Sequence, residues 1–252
     1  MNSFPDSPNV HLMKSYFFGG PVTRTIKTLI AINIAAYLLQ IVFHLLGSHF
    51  IDLFFGLVPI RLTHELMIWQ LVTYMFLHGG VFHLFFNMLT LYMFGNDLER
   101  YWGTGRFLRF YLITGIGAGI CSWLVAMHSW AIIIGASGAI YGLLLAYGVT
   151  YPNRIVYLNF LLPLKVKWLV LIMGGVAFLS SFGGSESGVA NIAHLGGMVV
   201  GYLYLKGKDW LDKYRLFYMQ RQHEQLKRQF EVYYGDVRRK IEEDKKKPPT
   251  IH

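Results

Sequence analysis

The stretch "IIIGASGAIYG", Ile132–Gly142, decides how this chain folds. It sets one serine, Ser137, among glycines where a membrane helix should begin. Apolar residues continue from Ser137 to Tyr151, and "YPNR" closes the run. About 15 residues at about 1.5 Å each reach roughly 22 Å, short of a hydrocarbon core of about 30 Å. With Tyr151 at the inner interface, the helix starts well below the outer one, and "HSWAIIIGA" must dip in to meet it. Non-helical backbone at that depth needs protein or a water-filled cavity around it. The expectation is a serine on the floor of a cavity opening outward, beside the free N–H groups of a helix N-terminus. The same small residues suit close helix packing, so packing and chemistry both stand open here.

The surrounding chain fits a membrane. Hydrophobic residues make up 54% of the 252 and charged ones 15%, where soluble domains carry about a quarter charged. Apolar runs near membrane-helix length fall at about 26–47, 81–98, 107–128, 137–151, 166–182 and 189–206. The fold expected is all-α, a polytopic membrane protein with a six-transmembrane-helix bundle. The first run is too long for a cleaved leader and is expected to stay in the membrane. Of the 23 Lys and Arg, all but Arg61 lie before or at the start of the first run, between runs two and three or four and five or at the ends of those runs, or at and after the end of the sixth. The positive-inside rule then puts both termini in the cytoplasm. The net charge of +9 becomes a topology signal, and nucleic acid drops out as a partner. Residues 1–22 read as a cytoplasmic N-terminal segment, 23–207 as the membrane domain and 208–252 as a basic cytoplasmic tail. Trp210, Tyr214, Phe217 and Tyr218 form one helical stripe in that tail, suited to a surface of anionic lipid or, alternatively, to a protein partner or a second copy. The loop 48–80, rich in Phe, Leu, Trp and Tyr, is expected to lie in the membrane interface. The single cysteine, Cys121, excludes an intrachain disulfide and a cysteine-based metal cluster.

Two further stretches put polar groups inside spans. In "LHGGVFHLFFNMLTLYMFG", His83 and Asn87 are four apart and share a helix face, with His78 in the glycine loop before them. Unpaired imidazole and carboxamide groups are costly in lipid, so a plain interhelical hydrogen-bond pair is one reading. A metal held by His78, His83 and His194 is another, unsupported by any nearby intramembrane carboxylate or HExxH pattern. In "NIAHLGGMVVGY", His194 heads a smooth stripe with Gly197 and Gly201. That stripe can approach Ser137, Gly138, Ala139 and Gly142 closely and carry His194 toward Ser137. A histidine against a serine at a helix N-terminus suggests a base and its nucleophile.

Taken in chain order, "HGGVFHLFFN", "GNDLERYWG", "GASG" with Tyr141 four residues past the serine, and "AHLGGMVVG" resemble the motifs of the rhomboid family of intramembrane serine proteases. The resemblance covers about residues 20–206. It implies a prokaryotic-type rhomboid-like bundle in the bacterial inner membrane, acting on transmembrane proteins within the lipid bilayer, with no cofactor and no metal. It implies Ser137 as nucleophile and His194 as general base. His83, Asn87 and the Ser137 backbone N–H are implied as oxyanion stabilisers, and Tyr141 as a ring packed on His194. His78, Gly135, Gly138, Gly197 and Gly201 are implied as supporting. The loop between the first two spans departs from the family's frequent Trp-Arg, carrying Trp69-Gln70 instead. Glutamine lacks arginine's charge and donor fork, so how this loop is held differs, and Gln70→Ala is expected to matter less than His194→Ala.

The reaction implied is acyl transfer by a serine–histidine dyad with no acidic third member in the spans near His194. Substrates are transmembrane segments with locally unwound backbone near the extracytoplasmic face. The main alternative is a catalytically inactive relative that binds transmembrane segments, against which stands the retention of both Ser137 and His194. A small transporter is a third reading, against which stands the lack of an internal repeat.

Overall fold

A computed structural model of the chain describes residues 21–158, 162–182 and 191–207, with isolated positions between 219 and 239. The chain divides into two units, Met1–Tyr204 and Leu205–His252. In the second, the described positions, among them Met219, Arg221 and Tyr234, are helical. The tail stripe Trp210, Tyr214, Phe217 and Tyr218 and nearly all of segment 1–22 lie outside the described residues.

Helices stand at each expected run. They are α1 (Arg24–Leu45), the continuous stretch α5 (Val81–Thr90), a π turn (Leu91–Gly95) and α6 (Asn96–Trp102), then α7 (Thr104–Val125), α8 (Ser137–Thr150) and α9 (Val166–Ser181). The last is α10, helical over residues 191–207. Between α1 and α5 the loop carries α2 (Phe50–Phe55), α3 (Pro59–His64), α4 (Gln70–Thr73) and a 3-10 turn at Tyr74–Phe76. Among the described residues, α1 and α7 alone are long and apolar enough to cross by themselves, and Gln70–Phe76 with Val81–Trp102 forms a pair bent by 97°. The shorter α8 and α9 match the expectation of an incomplete fourth span. The architecture is that of an all-α polytopic membrane bundle.

One element escapes that description. After α8 the chain forms a small antiparallel hairpin, β1 (Ile155–Leu158) with β2 (Leu162–Lys165). Arg154, at its base, pairs with Asp97 at 2.8 Å and stands over the rings of Tyr147 and Tyr151. Tyr147 Oη donates to the same carboxylate (2.9 Å), so the end of α8 is tied to α6. At the start of α1, Thr23 caps Ile26 and donates to the Glu99 carboxylate, which also accepts from Thr104 Oγ1 (2.7 Å). Gly95, Glu99 and Gly103 thus form one clasp. Gly95 admits the Ile26 side chain, Glu99 gathers two hydroxyls, and Gly103 takes the φ of +80° that separates α6 from α7.

α7 is the central helix, burying Phe107, Phe110, Tyr111, Thr114 and Ala118 among others, whereas α1 turns Leu38, Val42 and Leu45 outward. Outward aliphatic residues on a long apolar helix suit lipid contact. Glycines set the spacing around α7. A methyl group at Gly115 would collide with Met75, at Gly117 with Val200 and at Gly119 with Tyr74. Small residues replace the hydrophobic drive that lipid cannot supply between helices.

Candidate active site

Ser137 is the first residue of α8, so its backbone N–H has no acceptor within the helix. The segment before it holds this helix start within the bundle. Leu57 and Ile133 exchange backbone hydrogen bonds at 2.9 Å each way, and Gly135 N–H donates to the Tyr74 carbonyl (2.9 Å). Tyr74 is itself buried and donates through Oη to the Gly115 carbonyl (2.6 Å). The non-helical stretch therefore satisfies its backbone against protein, as buried polar groups require.

Gly135 makes the turn in two ways. Its φ is +128°, a conformation side chains resist. A Cβ there would also sit 2.7 Å from His83 Cε1 and 2.8 Å from His83 Nε2, with Ser137 Oγ 3.6 Å away. The imidazole edge thus lies against the bare turn just ahead of the serine. Gly79 N–H donates to His83 Nδ1 (3.3 Å). Nδ1 is then the acceptor, and the neutral ring carries its proton on Nε2, the nitrogen beside Gly135.

Across the cleft, His194 Nε2 lies 2.8 Å from Ser137 Oγ. The approach depends on α10 running bare against α8. A methyl group at Gly197 would fall on the Gly138 carbonyl oxygen and 2.8 Å from its carbon. One at Gly201 would meet the Gly142 Cα at 3.4 Å, while on the α7 side of α8 one at Gly138 would meet the Ala118 Cβ at 2.5 Å. Tyr141, one turn past the serine, stacks on His194 with ring centroids 4.3 Å apart and an interplanar angle of 2°. His194 Nδ1 is buried with no hydrogen-bond partner among the described residues, so stacking and helix position fix the ring without a carboxylate.

Asn87 sits in the same cleft, 5% exposed, and donates through Nδ2 to the His83 carbonyl (2.9 Å). One of its two amide hydrogens remains free for the cleft. His78 lies behind: its ring meets His83 edge-on at 5.1 Å and its N–H donates to Gln40 Oε1 (2.9 Å). The cleft holds about 310 Å³ and is walled on one side by Phe82 and Phe86 and on another by Met173 of α9. These apolar walls were not anticipated, although Phe82 and Phe86 share the four-residue spacing of His83 and Asn87. Gln70, the departure from the family's frequent arginine, holds the first loop. Fully buried, it accepts from Val58 N–H (3.0 Å) and donates to the Leu53 carbonyl (3.1 Å), so glutamine anchors this loop with neutral hydrogen bonds where the family often carries arginine.

Comparison with known proteins meets this geometry. The family model described as a rhomboid domain matches residues 65–207. The chain belongs to the rhomboid family. It is 34% identical over 210 residues to rhomboid protease AarA of Providencia stuartii, covering 75% of this chain and 74% of that protein. It is 37% identical over 136 residues to rhomboid protease GluP of Bacillus subtilis, 53% of this chain and 25% of that protein. It is 40% identical over 136 residues to RHOMBOID-like protein 4 of Arabidopsis thaliana, 54% of this chain and 32% of that protein. The chain thus spans a quarter to a third of the length of two of these relatives and about three quarters of the other. The family model takes in Ser137, His194, His83, Asn87 and Tyr141 and leaves α1 outside it.

Proposed function

We propose that this rhomboid-family membrane protein is an intramembrane serine endopeptidase, with Ser137 as nucleophile and His194 as general base. The carrying observation is the 2.8 Å pairing of His194 Nε2 with Ser137 Oγ under the stacked Tyr141 ring. His194 Nε2 takes the hydroxyl proton as Oγ bonds to the scissile carbonyl carbon. The proton then passes to the leaving amine, and water, deprotonated by the same nitrogen, releases the acyl group. The oxyanion is met by His83 Nε2–H, Asn87 Nδ2–H and the Ser137 N–H. Donors of this kind contribute about 2.7–4 kcal/mol each in comparable sites.

The substrate reading follows from the walls. A cleft lined by Phe82, Phe86, Ile140, Leu144 and Met173 suits an apolar segment, and the crowded Gly135 turn suits small residues at the scissile bond. Helical carbonyls are already hydrogen-bonded, so transmembrane segments with glycine or proline breaks fit best. On this reading both termini are cytoplasmic, as the charge pattern favours, and cleavage occurs near the extracytoplasmic face of a bacterial inner membrane, as the family resemblance implies, with 23–207 as the six-helix membrane domain and 208–252 as a basic tail.

The test is cleavage of a single-span model substrate by the full chain in detergent and in liposomes. Wild type should cleave and be labelled by a fluorophosphonate, and Ser137→Ala and His194→Ala should do neither. Cleavage that persists in Ser137→Ala overturns the assignment.

A further inference from the structure

Away from the cleft, the end of α1 and the start of α2 assemble a second cluster of chemically capable side chains. His44 lies in the last turn of α1, His49 just precedes α2, and Asp52 lies in its first turn. A defined turn brings them together. Gly47 adopts φ +73° while its N–H donates to the His44 carbonyl and Ser48 N–H to the Phe43 carbonyl, both at 2.9 Å. This left-handed cap reverses the chain so that His49 returns over His44. The two imidazole centroids are 4.9 Å apart.

Both rings address one carboxylate oxygen. His44 Nε2 is hydrogen-bonded to Asp52 Oδ2, and His49 Nδ1 lies 3.5 Å from that oxygen. One ligand atom from each residue can be chosen with all three within 4.8 Å of one another. A tetrahedral zinc ion about 2.0–2.1 Å from its ligands sets them about 3.3 Å apart, within reach of small side-chain rotations here. The other oxygen, Asp52 Oδ1, is held by Gln40 Nε2 at 2.7 Å. Gln40 is itself buried, and its Oε1 accepts the His78 N–H. A ligating carboxylate fixed by a buried hydrogen-bond partner is the outer-shell arrangement of protein metal sites. Burial pushes the Asp52 carboxyl up, but hydrogen bonds from Gln40 and His44 outweigh it and hold it below its ordinary value, anionic as a ligand must be.

We propose that His44, His49 and Asp52 form a binding site for a divalent transition-metal ion of the zinc class, with Gln40 as its outer-shell support. Two neutral imidazoles and one carboxylate give three ligands, and water completes a tetrahedron. The ion takes the place of the proton between His44 Nε2 and Asp52 Oδ2, and that proton leaves to solvent. His49 distinguishes this from a simple ion pair: His44 alone already satisfies the carboxylate. These ligands are distinct from His78, His83 and His194. The present site lies where α1 meets α2, and Gln40 links it to His78 in the loop ahead of His83.

Tag-free full chain in detergent, freed of metal by chelation, is titrated with zinc by calorimetry, and Co²⁺ is followed by its visible d–d bands. Wild type should bind one equivalent more than His49→Ala or Asp52→Asn, or bind that equivalent about tenfold or more tightly. Bound Co²⁺ should show tetrahedral absorption that both variants lose. His49 is exposed and Asp52→Asn keeps the volume of the side chain, so fluorophosphonate labelling of Ser137 should show both variants folded. Equal zinc stoichiometry and affinity in wild type and His49→Ala overturns the proposal, as does a wild-type chain that takes up no zinc at this site.

Discussion

Replacing Gly197 by alanine adds a methyl group where α10 leaves no room for one. The new Cβ would fall on the Gly138 carbonyl oxygen, 2.8 Å from its carbon and 3.3 Å from the Gly138 Cα. Carbon atoms settle at about 3.5–4.0 Å, so α10 must retreat from α8 by at least about 0.7 Å (3.5 less 2.8). Carried to the pair above, that retreat takes Ser137 Oγ and His194 Nε2 from 2.8 Å to about 3.5 Å, beyond a working hydrogen bond. Misplacement of about 1 Å costs on the order of 100-fold in rate, while overpacking costs about 1–3 kcal/mol in stability. Gly197→Ala should therefore lose about 100-fold in cleavage of the model substrate with every catalytic side chain intact, and fluorophosphonate labelling should slow in parallel. Gly175→Ala on α9 is the control, because a Cβ there meets nothing within 4 Å. A Gly197→Ala enzyme within about threefold of wild type would refute the claim that helix spacing sets the dyad distance.

Two other substitutions separate roles at the site and in the loop. Tyr141→Phe keeps the ring stacked on His194 and should retain activity, while Tyr141→Ala frees the imidazole and should lower turnover by about 10-fold or more with little change in KM; equal activity of both in a steady-state cleavage assay removes the orienting role. Gln70→Ala leaves the buried Val58 N–H unpaired and should lower thermal stability by about 1–3 kcal/mol, measured by detergent-phase unfolding, while Gln70→Glu keeps an acceptor for Val58 but turns a buried carboxylate oxygen onto the Leu53 and Phe54 carbonyls and should lose no less.

The sequence announced the bundle through its apolar runs, because lipid forces every exposed backbone group into helices and so makes span length readable. Their ends shifted by only a few residues, as where 26–47 became Arg24–Leu45. The short fourth span was equally readable, since "YPNR" fixes one end and Ser137 the other. Other features depend on contacts no local pattern encodes. The hairpin after α8 follows the polar "YPNR", in a stretch between two spans that reads as plain loop, and Asp97 anchors its base from 57 residues away in Arg154 (154 less 97). Gln70 illustrates the same limit. Its place where the family often carries arginine was visible, but its burial among Val58, Leu53 and Phe54 was not.

The glycines show how far packing and chemistry coincide. Gly197 and Gly201 let α10 lie on α8, and Gly135 lets His83 reach the turn before Ser137. Each removes a side chain where a larger one would hold two polar groups apart. In water such a smooth interface would forfeit hydrophobic burial, but lipid tails offer α8 and α10 no less apolar a contact than a neighbouring helix does. Close backbone approach is what remains to bind these helices, and it leaves His194 and Ser137 within reach as a consequence. A truncated α8 then costs little: its start meets the Leu57–Ile133 bridge and the Tyr74 carbonyl where a full-length helix would meet lipid. The early start of α8 and the closeness of His194 thus come from one cause, a helix that stops at protein and packs on glycine.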